Sequence, residues 1–548
     1  MDEKGIMTLP VVFSRTVSVY PTHGALAFVG EKPITYAEAD AGRRALMALL
    51  EKAGIQPGDK VALLGANMPN WVVTYFAITS MGAVAVPMLP DFTPREISYI
   101  LSHSEASALF VSKGLRYKVA KDLPESLQYM FAMEDFSPVS GNDPLPHFDE
   151  KGEPQREYEV NEDDLAVIIY TSGTTGKSKG VMLTHKNLVF NAMKAKKIHP
   201  IVPDDRFLSI LPLSHTYENT IGMLIPVVSG SCIYYLKKPP TPAVLLPALK
   251  KVKPTLMLTV PLIIEKIYKK QVLPAFTKSK LMSSLYKMPL FRKMLNRIAG
   301  KKLIKTFGGE IGFFGIGGAK LNKAVEEFLL EARFPYAVGY GLTETSPLIA
   351  GFGSHNQRLQ STGLPIEDLE VIIHDPDPKT GEGEIWVRGD SVMKGYYKEP
   401  EMTREVLTPD GWFKTGDLGV FDKDGYLYIK GRLKNVIVGP GGENVYPDDI
   451  ESVINQFWFV DESLVIEEKG KLVALVNVNI EALEKKFNEL KESASEFYEE
   501  KIESLLNEVK DYVNSQVNKF SRIKSVKLQK EPFIKTATNK IKRFLYQK

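Results

Sequence analysis

The chain has 548 residues, of which 44% are hydrophobic and 25% charged, values ordinary for a soluble protein. Its length suggests about three or four domain-sized units. The formal net charge of +3 argues against a general nucleic-acid-binding protein. The single cysteine, Cys232, excludes a disulfide within the chain and fits a reducing compartment, and no Cys/His cluster has zinc spacing. Residues 1–12 lack the pattern of a secretory signal.

From residue 34 to about residue 112, helical and strand-like patterns alternate, which predicts a mostly parallel sheet covered by helices on both faces. Two uncharged stretches, residues 71–90 and 219–236, approach the length of a membrane span. Each contains glycine, serine, threonine and proline where a span would contain leucine and isoleucine. We therefore predict that each is a buried helix, a glycine and a strand, and that the chain does not cross a bilayer.

Residues 170–180, with the sequence YTSGTTGKSKG, are the clearest candidate for a ligand-binding loop. They follow a predicted buried strand and precede residues with helical spacing. Their glycines, their hydroxyls and the lysines Lys177 and Lys179 are groups that bind a polyphosphate. Only two residues separate Gly173 from Gly176, so the segment is not a Walker loop, which has four residues at this point. A flexible Ser/Gly linker is the alternative.

His215 follows an apolar strand at the point where a helix is predicted to begin, although a lone histidine is usually structural. Residues 237–305 then contain seventeen lysines and arginines and one acidic residue, Glu265. Part of this region has an apolar stripe at helical spacing, formed by Leu281, Leu285, Met288, Leu295 and Ile298. A solvated basic surface and a docking surface for anionic lipid or an anionic carrier both fit this pattern.

Three later motifs have the chemistry of a nucleotide site. Residues 317–319, with the sequence GGA, would let a flat ligand approach the backbone closely. The TET motif at 343–345 places Glu344 between two hydroxyls, which suits Mg²⁺ because that ion takes few protein ligands and keeps waters and phosphate oxygens. Asp417 lies in a strand-rich region and can accept hydrogen bonds from both hydroxyls of a sugar; a turn aspartate is the alternative.

After residue 431 the sequence has the pattern of a separate small domain. Arg432 and Lys434 precede a strand, and the glycines at 439–442 indicate a mobile loop. Two strands and a long charged helix follow. In the basic C-terminal segment, Lys540 is one cation among many, and a solvated basic terminus is the alternative interpretation.

Taken in order, these stretches resemble the adenylate-forming (AMP-binding) synthetase superfamily, in its fatty acyl-CoA synthetase branch. The motifs that carry the resemblance are YTSGTTGKSKG, LPLSHTYE, GGAKL, YGLTETSP, STGLP, GWFKTGD, GRLKNVIVGPGGENVYP and KTATNKIKR. One residue departs from the family pattern, because Asn539 stands where a glycine usually precedes the catalytic lysine. Asparagine tolerates left-handed backbone better than most residues, so we expect the local geometry to survive.

The patterns and the resemblance together predict an α/β fold. A large N-terminal adenylation domain, residues 1–431, would have layered, mostly parallel sheets with helices and a β-rich subdomain at about 350–431. Residues 432–548 would form a small, mobile α+β C-terminal domain with its hinge at Lys434. The loop at 439–446 would face the site of the second half-reaction.

The resemblance also implies a role for each matching residue. The implied catalytic residues are Lys540, His215, Thr343 and Glu344. The implied ATP-binding residues are Thr171, Ser172, Gly173, Thr174, Thr175, Lys177, Gly317, Gly318, Ala319, Tyr340, Gly341, Asp417 and Arg432. The implied Mg²⁺ ligands are Thr171 and Glu344.

The implied reaction is the ATP-dependent activation of a medium- or long-chain fatty acid to an acyl-adenylate, followed by transfer to coenzyme A. Two alternatives stay open: a ligase that loads an acyl carrier protein, and a non-catalytic lipid- or nucleotide-binding relative. The implied ligands are ATP, Mg²⁺, coenzyme A and the fatty acid, without nucleic acid. We expect a cytoplasmic location, with peripheral contact to the inner face of a membrane through residues 237–305 as a hypothesis.

Overall fold

The computed structural model describes residues 7–120, 123–172, 178–277, 279–438, 444–481, 483, 495–536 and 540–547. The strands of this part of the chain are β1 (Gly24–Phe28), β2 (Ile34–Thr35), β3 (Lys60–Leu64), β4 (Val84–Met88), β5 (Ala108–Val111), β6 (Tyr129–Ala132), β7 (Pro138–Gly141), β8 (Leu165–Ser172), β9 (Ser178–Thr184), β10 (Arg206–Ser209), β11 (Cys232–Tyr235), β12 (Leu256–Thr259), β13 (Phe313–Ile316), β14 (Tyr336–Gly341), β15 (Leu348–Gly351), β16 (Leu364–Pro365), β17 (Glu370–His374), β18 (Gly383–Arg388), β19 (Gly395–Tyr396), β20 (Phe413–Phe421), β21 (Leu427–Arg432), β22 (Ile437–Val438), β23 (Asn444–Val445), β24 (Val460–Glu468), β25 (Lys471–Val478) and β26 (Ser525–Leu528).

The α-helices of the same residues are α1 (Leu9–Val19), α2 (Tyr36–Lys52), α3 (Pro69–Ser80), α4 (Pro94–Ser104), α5 (His185–Ala195), α6 (Ile225–Ser229), α7 (Pro242–Val252), α8 (Pro261–Ile267), α9 (Leu273–Thr277), α10 (Lys280–Lys287), α11 (Pro289–Thr306), α12 (Lys323–Glu331), α13 (Pro400–Val406), α14 (Pro447–Ile454) and α15 (Ser495–Gln516). Two segments are π-helical, Tyr217–Leu224 and Tyr268–Val272. Short 3₁₀ turns are formed by Lys113–Lys118, Lys196–Ile198, Thr343–Thr345, Leu433–Asn435, Lys519–Ser521 and Arg543–Leu545.

Two large sheets dominate the described structure. One has nine strands in the order β16-β15-β14-β13-β12-β10-β11-β1-β2, and the other has eight in the order β19-β9-β8-β4-β3-β5-β6-β7. The central pairs of both sheets are parallel, whereas the pairs near their edges are antiparallel. Because parallel neighbours need long crossovers, helices connect the strands and cover the sheets. The predicted α/β class with mostly parallel sheets is confirmed.

Capping residues in the sequence explain where helix α4 begins. Thr93 precedes α4, its hydroxyl accepts a hydrogen bond from the Glu96 backbone N–H (3.3 Å), and a Glu96 carboxylate oxygen accepts one from the Thr93 N–H (2.8 Å). Pro94 occupies the first helical position, where its missing N–H has no partner to lose. Residues 71–90 and 219–236 each form a helix, a glycine turn and a strand, as predicted.

The prediction that a helix begins directly after Gly180 is wrong for residues 181–184. Residues 181–184 continue β9, which pairs antiparallel with β8, and the helix begins only at His185. Thr184 caps that helix by accepting a hydrogen bond from the Asn187 N–H (3.2 Å). A short run of three apolar residues and a threonine fits a strand or a helix turn equally well, and pairing with β8 decides between them.

Strand-rich structure follows residue 370. A four-stranded antiparallel sheet is formed here by β17, β18, β20 and β21, in accord with the predicted change to mainly β structure. Further along the described chain, β24, β25 and β26 form a three-stranded sheet that packs with α14 and α15 around its own apolar core. Among the described residues, no helix combines the length and the apolarity that a bilayer crossing requires.

Candidate active site

The hydroxyl-rich segment of the sequence lies at the end of a β-hairpin. Thr171 is paired with Lys179, and Ser172 with Ser178, at the last described positions of β8 and the first of β9. These pairs bring the two described arms of the segment together. The predicted phosphate-binding residues Gly173, Thr174, Thr175 and Lys177 lie outside the described residues.

A cluster of Lys179, Tyr396 and Glu344 lies beside the hairpin. The Tyr396 hydroxyl donates a hydrogen bond to Glu344 Oε1 (2.8 Å) and accepts one from Lys179 Nζ (2.9 Å). Lys179 Nζ is also 3.8 Å from the same carboxylate oxygen and 4.2 Å from the centre of the Tyr396 ring. Glu344 belongs to the turn Thr343–Thr345 after β14, and β19 carries Tyr396 against β9. Burial lowers the pKa of Lys179, while Glu344 acts in the opposite direction.

A second polar cluster is built on β20 and β21. Asp417 and Arg432 lie opposite each other in register, and Arg432 Nε is 3.1 Å from Asp417 Oδ1. The Tyr340 hydroxyl donates a hydrogen bond to Asp417 Oδ2 (2.8 Å). Burial raises the pKa of the Asp417 carboxyl, and Arg432 acts to lower it. The ion pair thus offsets part of the cost of burying a carboxylate that is only 5% exposed.

The glycines of the predicted adenine site stand where two parallel strands end. β13 and β14 are neighbours, so Gly317 and Tyr340 emerge at the same edge of the sheet. A Cβ on Gly317 would lie 3.1 Å from Cζ of Tyr217, and Gly318 has a φ of +85°, a left-handed conformation that favours glycine. Ala319, which completes the turn, is exposed.

Gly341, also predicted to bind ATP, has a structural constraint of its own. A Cβ at this position would lie 1.9 Å from the carbonyl oxygen of Pro347. The close approach of the chain after Thr343–Thr345 therefore requires a glycine at the end of β14. This requirement holds whether or not a ligand contacts Gly341.

His215 lies between β10 and the π-helix Tyr217–Leu224. Its Nδ1 accepts a hydrogen bond from the Tyr217 N–H (3.2 Å). Burial lowers the pKa of His215 to about 4, and the positive charge of Lys540 acts in the same direction. The imidazole is therefore neutral near pH 7, and its other nitrogen, Nε2, carries the proton.

Glu218, three residues after His215, was not singled out by the sequence. It is 2% exposed, and Ser209 Oγ donates a hydrogen bond to its Oε1 (2.5 Å). Burial raises the pKa of Glu218 to about 8, so the carboxyl keeps its proton near neutral pH. A protonated carboxyl avoids the large penalty of an unpaired buried charge.

Lys540 brings the C-terminal segment to these clusters. It keeps exposed surface, yet the protein around it removes enough water to lower its pKa. Arg432 acts in the same direction, while Asp417 and Glu344 act to raise the pKa. The ammonium group is therefore within electrostatic range of both clusters and of His215.

Lys434, the predicted hinge, lies in the exposed turn Leu433–Asn435 directly after β21. Side-chain contacts across the chain hold the C-terminal segment against the rest of the protein. They are Lys269 Nζ with the carbonyl oxygens of Val460 (2.7 Å) and Asn455 (3.2 Å), Lys320 with Asp449 (2.6 Å), Asn322 with the Ser452 carbonyl (2.9 Å), and the Tyr446 hydroxyl with Glu382 (2.6 Å).

The family model described as AMP-binding enzyme matches residues 13–397. The chain belongs to the AMP-binding enzyme family. It is 31% identical to the long-chain-fatty-acid–CoA ligase FadD15 of Mycobacterium bovis, with 82% of this chain and 78% of the relative covered. It is also 31% identical to the peroxisomal long chain acyl-CoA synthetase 6 of Arabidopsis thaliana, over 82% of this chain and 69% of the relative.

Among solved structures, O-succinylbenzoate coenzyme A synthetase (MenE) from Bacillus subtilis, in complex with ATP and magnesium ion, is 23% identical. The match covers 97% of this chain and 98% of that chain, with a TM-score of 0.74. The likeness shows that this AMP-binding enzyme shares the fold. The predicted membership of the adenylate-forming superfamily, in its fatty acyl-CoA synthetase branch, is confirmed.

The AMP-binding enzyme brings together most of the predicted site residues that the structure describes, and adds two. Lys179 and Tyr396 hold Glu344. The sequence indicated Lys179 as a phosphate-binding cation of the loop motif, but not as a partner of Glu344. Tyr396 offered no such signal, because 52 residues separate it from Glu344 and 217 from Lys179.

The residues of this AMP-binding enzyme fit Mg²⁺ bound mainly through a nucleotide. Among the described residues, no group of three or more His, Cys, Asp or Glu side chains is arranged to hold a metal ion. Glu344 offers a carboxylate and Thr171 a hydroxyl near the base of the loop. One carboxylate is enough for Mg²⁺ when waters and phosphate oxygens complete its shell.

Proposed function

We propose that this protein is an AMP-forming fatty acid–CoA ligase. ATP and a medium- or long-chain fatty acid give an acyl-adenylate and pyrophosphate, and the thiol of coenzyme A then displaces AMP to give acyl-CoA. The relatives named as long-chain fatty acid ligases support this substrate class. The observation that carries the proposal is the convergence of Lys540, Glu344 and the Asp417–Arg432 pair, with neutral His215 in range.

The first half-reaction must bring two anions together. A carboxylate approaches the α-phosphate of ATP, so their repulsion has to be offset by groups that are already oriented. Lys540 would supply positive charge at the reacting atoms, and its exposed surface leaves room for a ligand. Mg²⁺, when bound through Thr171 and Glu344, would neutralise phosphate charge. Tyr396 and Lys179 would hold the Glu344 carboxylate in place for that task.

The nucleotide would lie across the two clusters. Asp417 and Arg432 would take the ribose hydroxyls, and the turn at 317–319 with Tyr340 and Gly341 would frame the adenine. Thr343 would bind the α-phosphate beside Glu344. The hairpin loop would hold the β- and γ-phosphates, through Thr171, Ser172, Gly173, Thr174, Thr175 and Lys177.

His215 would position the acyl carboxylate. A neutral imidazole adds no charge, but its Nε2 proton can donate a hydrogen bond to a carboxylate oxygen. The low pKa supports this role, because the group stays neutral at every pH at which the enzyme is expected to work. His215 would therefore orient the substrate through a hydrogen bond and would not act as a general acid or base.

The second half-reaction needs a path for the thiol. Because Lys540 would be needed only before the adenylate forms, rotation of the C-terminal domain, residues 432–548, about Lys434 would withdraw it. The segment 439–446, of which residues 439–443 lie outside the described residues, would then face the thioester site. The exposed turn that contains Lys434 supports this hinge, since a few loop residues can absorb such a motion.

Coenzyme A is the acceptor that the relatives favour over an acyl carrier protein, because their names specify CoA. A non-catalytic relative would have no need to keep Lys540, Glu344 and Asp417 together, and the structure brings them within range. We place the enzyme in the cytoplasm, where one free cysteine, Cys232, stays reduced.

The test separates the two half-reactions. Lys540→Ala is expected to lower fatty-acid-dependent pyrophosphate release by about 100-fold or more, since one oriented charge-stabilising group is lost. Thioester formation from supplied acyl-adenylate should persist. Lys542→Ala, two residues away, is the matched control and should release pyrophosphate like the wild type.

Acids of graded chain length supply the second arm of the same assay. Pyrophosphate release should rise from short to medium and long chains. Equal loss of both half-reactions in Lys540→Ala would contradict the rotating-domain mechanism. Absence of pyrophosphate release by the wild type with every fatty acid would contradict the ligase function itself.

A further inference from the structure

The basic region contains two consecutive helices, α10 and α11, that meet at Met288. Met288 has an extended backbone between them, and Pro289 begins the second helix. The predicted single apolar stripe is therefore split over two helices. Leu285 and Leu295 of that stripe are partly buried, whereas its other members are exposed: Leu281 (71%), Met288 (51%) and Ile298 (59%).

The inner face of α11 is firmly packed. Leu295, Ala299 and Leu303 contact the apolar core of this part of the protein. A Cβ on Gly300 would lie 2.5 Å from the carbonyl oxygen of Ala332, so the helix lies directly against its neighbour. These contacts fix which side of α11 faces solvent.

The outer face of α11 is apolar as well. Leu290, Met294 and Ile298 follow one another at intervals of four residues and therefore lie in a row. Their exposed fractions are 83%, 50% and 59%. A helix with an apolar row on its core face normally has polar residues on the other face. This row, together with the exposed side chains of Leu281 and Met288, is called the outer patch.

Positive charge borders the outer patch. Lys293, Arg297 and Lys301 form a second row beside the apolar one, again at intervals of four, and line the same shallow groove. Between residues 279 and 306 the sequence has no acidic residue. Its basic residues are Lys280, Lys287, Arg292, Lys293, Arg297, Lys301, Lys302 and Lys305. Arg292 forms an ion pair with Glu331 (2.6 Å), and Lys293 also interacts electrostatically with that carboxylate. The basic residues of α11 nevertheless outnumber the acidic residues near them.

We propose that the outer patch and its basic border dock this enzyme on an anionic bilayer. Lipid phosphates would neutralise the basic row, while Leu281, Leu290, Met294 and Ile298 would enter the boundary between headgroups and acyl chains. A lipid surface satisfies both halves of the pattern at once, because an apolar row bordered by an excess of cations suits a partner that is apolar and anionic. The functional meaning rests on the proposed function, since a bilayer is where a long-chain fatty acid partitions.

Cosedimentation of the full chain with vesicles tests the proposal. Binding to vesicles with about 30% anionic phospholipid should exceed binding to neutral vesicles at least about ten-fold at low salt, and should weaken in about 0.5 M salt. The triple variant Lys293→Gln, Arg297→Gln, Lys301→Gln should lose most of this binding. The triple variant Leu290→Ser, Met294→Ser, Ile298→Ser should keep the salt-sensitive encounter but bind at least about five-fold more weakly.

The matched control removes the same charge elsewhere in the basic region. Lys238→Gln, Lys250→Gln, Lys251→Gln alters exposed residues at and before α7, and should bind vesicles like the wild type. No binding of the wild type to anionic vesicles at low salt, or equal loss in this control, would overturn the proposal. Binding to an acidic carrier protein without binding to vesicles would overturn it in favour of a protein partner.

Pyrophosphate release without vesicles keeps the two proposals separate. All three triple variants should retain it with a water-soluble medium-chain acid, because the altered side chains are exposed and distant in sequence from the site residues. Vesicle binding without any pyrophosphate release would contradict the ligase function and leave the docking surface intact. The converse result would contradict only the docking surface.

Discussion

Among the individual residues of the site, Tyr396 links two charged side chains. Its hydroxyl donates to Glu344 and accepts from Lys179, so one oxygen joins an anion and a cation. Burial raises the pKa of Tyr396 well above the ordinary value, and the hydroxyl keeps the proton it donates. Hydrogen bonds to charged groups contribute about 1.5–3 kcal/mol each. The position of the Glu344 carboxylate therefore depends on this phenol.

Tyr396→Phe removes the hydroxyl and leaves the ring. We expect kcat/KM for ATP in pyrophosphate release to fall by about 10-fold or more, because the loss of about 1.4 kcal/mol corresponds to a factor of ten. Tyr397→Phe is the matched control: the adjacent ring contacts His103 instead, and activity should stay near that of the wild type. Equal activity of both variants would show that Tyr396 does not orient Glu344.

The protonation of the buried Glu218 carboxyl makes the stability of the folded protein depend on pH. Its pKa in the folded protein, about 8, lies above the ordinary value of 4.5. Between these two values the folded state binds a proton that the unfolded state has released. The contribution of this carboxyl to stability is therefore complete below pH 4.5 and is lost as the pH rises toward 8.

Glu218→Gln should flatten this pH dependence. Each pH unit in the window changes the unfolding free energy by about 1.4 kcal/mol, so the wild-type melting temperature should fall several degrees more than that of the variant between about pH 5.5 and about pH 8.5. Glu125→Gln, at an exposed position, should keep the wild-type slope. Identical slopes for the wild type and Glu218→Gln would refute the raised pKa.

At the scale of elements, the π-helix Tyr217–Leu224 connects His215 with α6. Helix segments of this kind are rare and often occur at functional sites. Here the segment packs tightly on itself, because a Cβ on Gly222 would lie 2.6 Å from Cδ of Glu218. The glycine thus makes room for the buried carboxyl one turn earlier, and the two residues act as one unit.

Gly222→Ala should destabilise the protein by about 1–3 kcal/mol, as expected when a methyl group is forced into a packed interior. Thermal unfolding measures the effect. Gly114→Ala is the control, since a Cβ there meets nothing within 4 Å, and it should leave the melting temperature nearly unchanged. A Gly222→Ala variant as stable as the control would mean that the π-helix can move away from Glu218.

At the scale of the whole molecule, the proposed mechanism depends on the position of the C-terminal segment. In the structure this segment brings Lys540 within electrostatic range of Asp417 and Glu344. Lys269 contributes to this arrangement by donating hydrogen bonds to two carbonyl groups, those of Val460 and Asn455. Burial lowers the pKa of Lys269 to about 8.

Lys269→Met keeps the length of the side chain and removes its donors. We expect about 10-fold slower pyrophosphate release, because a hydrogen bond from a charged group contributes about 1.5–3 kcal/mol to the arrangement that presents Lys540. Thioester formation from supplied acyl-adenylate should be unaffected. Lys270→Met, at the adjacent exposed position, should behave like the wild type in both assays. A uniform loss in both half-reactions would indicate general destabilisation.

The sequence by itself determined the fold class, the family and the identity of most candidate ligands, because alternating helices and strands and ordered motifs are local properties. It could not decide whether residues 181–184 are helical, or which side of α11 faces the core, since pairing partners settle both. Only the tertiary structure joined Lys179, Tyr396 and Glu344, whose contacts span 52 and 217 residues. Contacts between residues so far apart along the chain depend on the packing of whole sheets, and no local pattern encodes them.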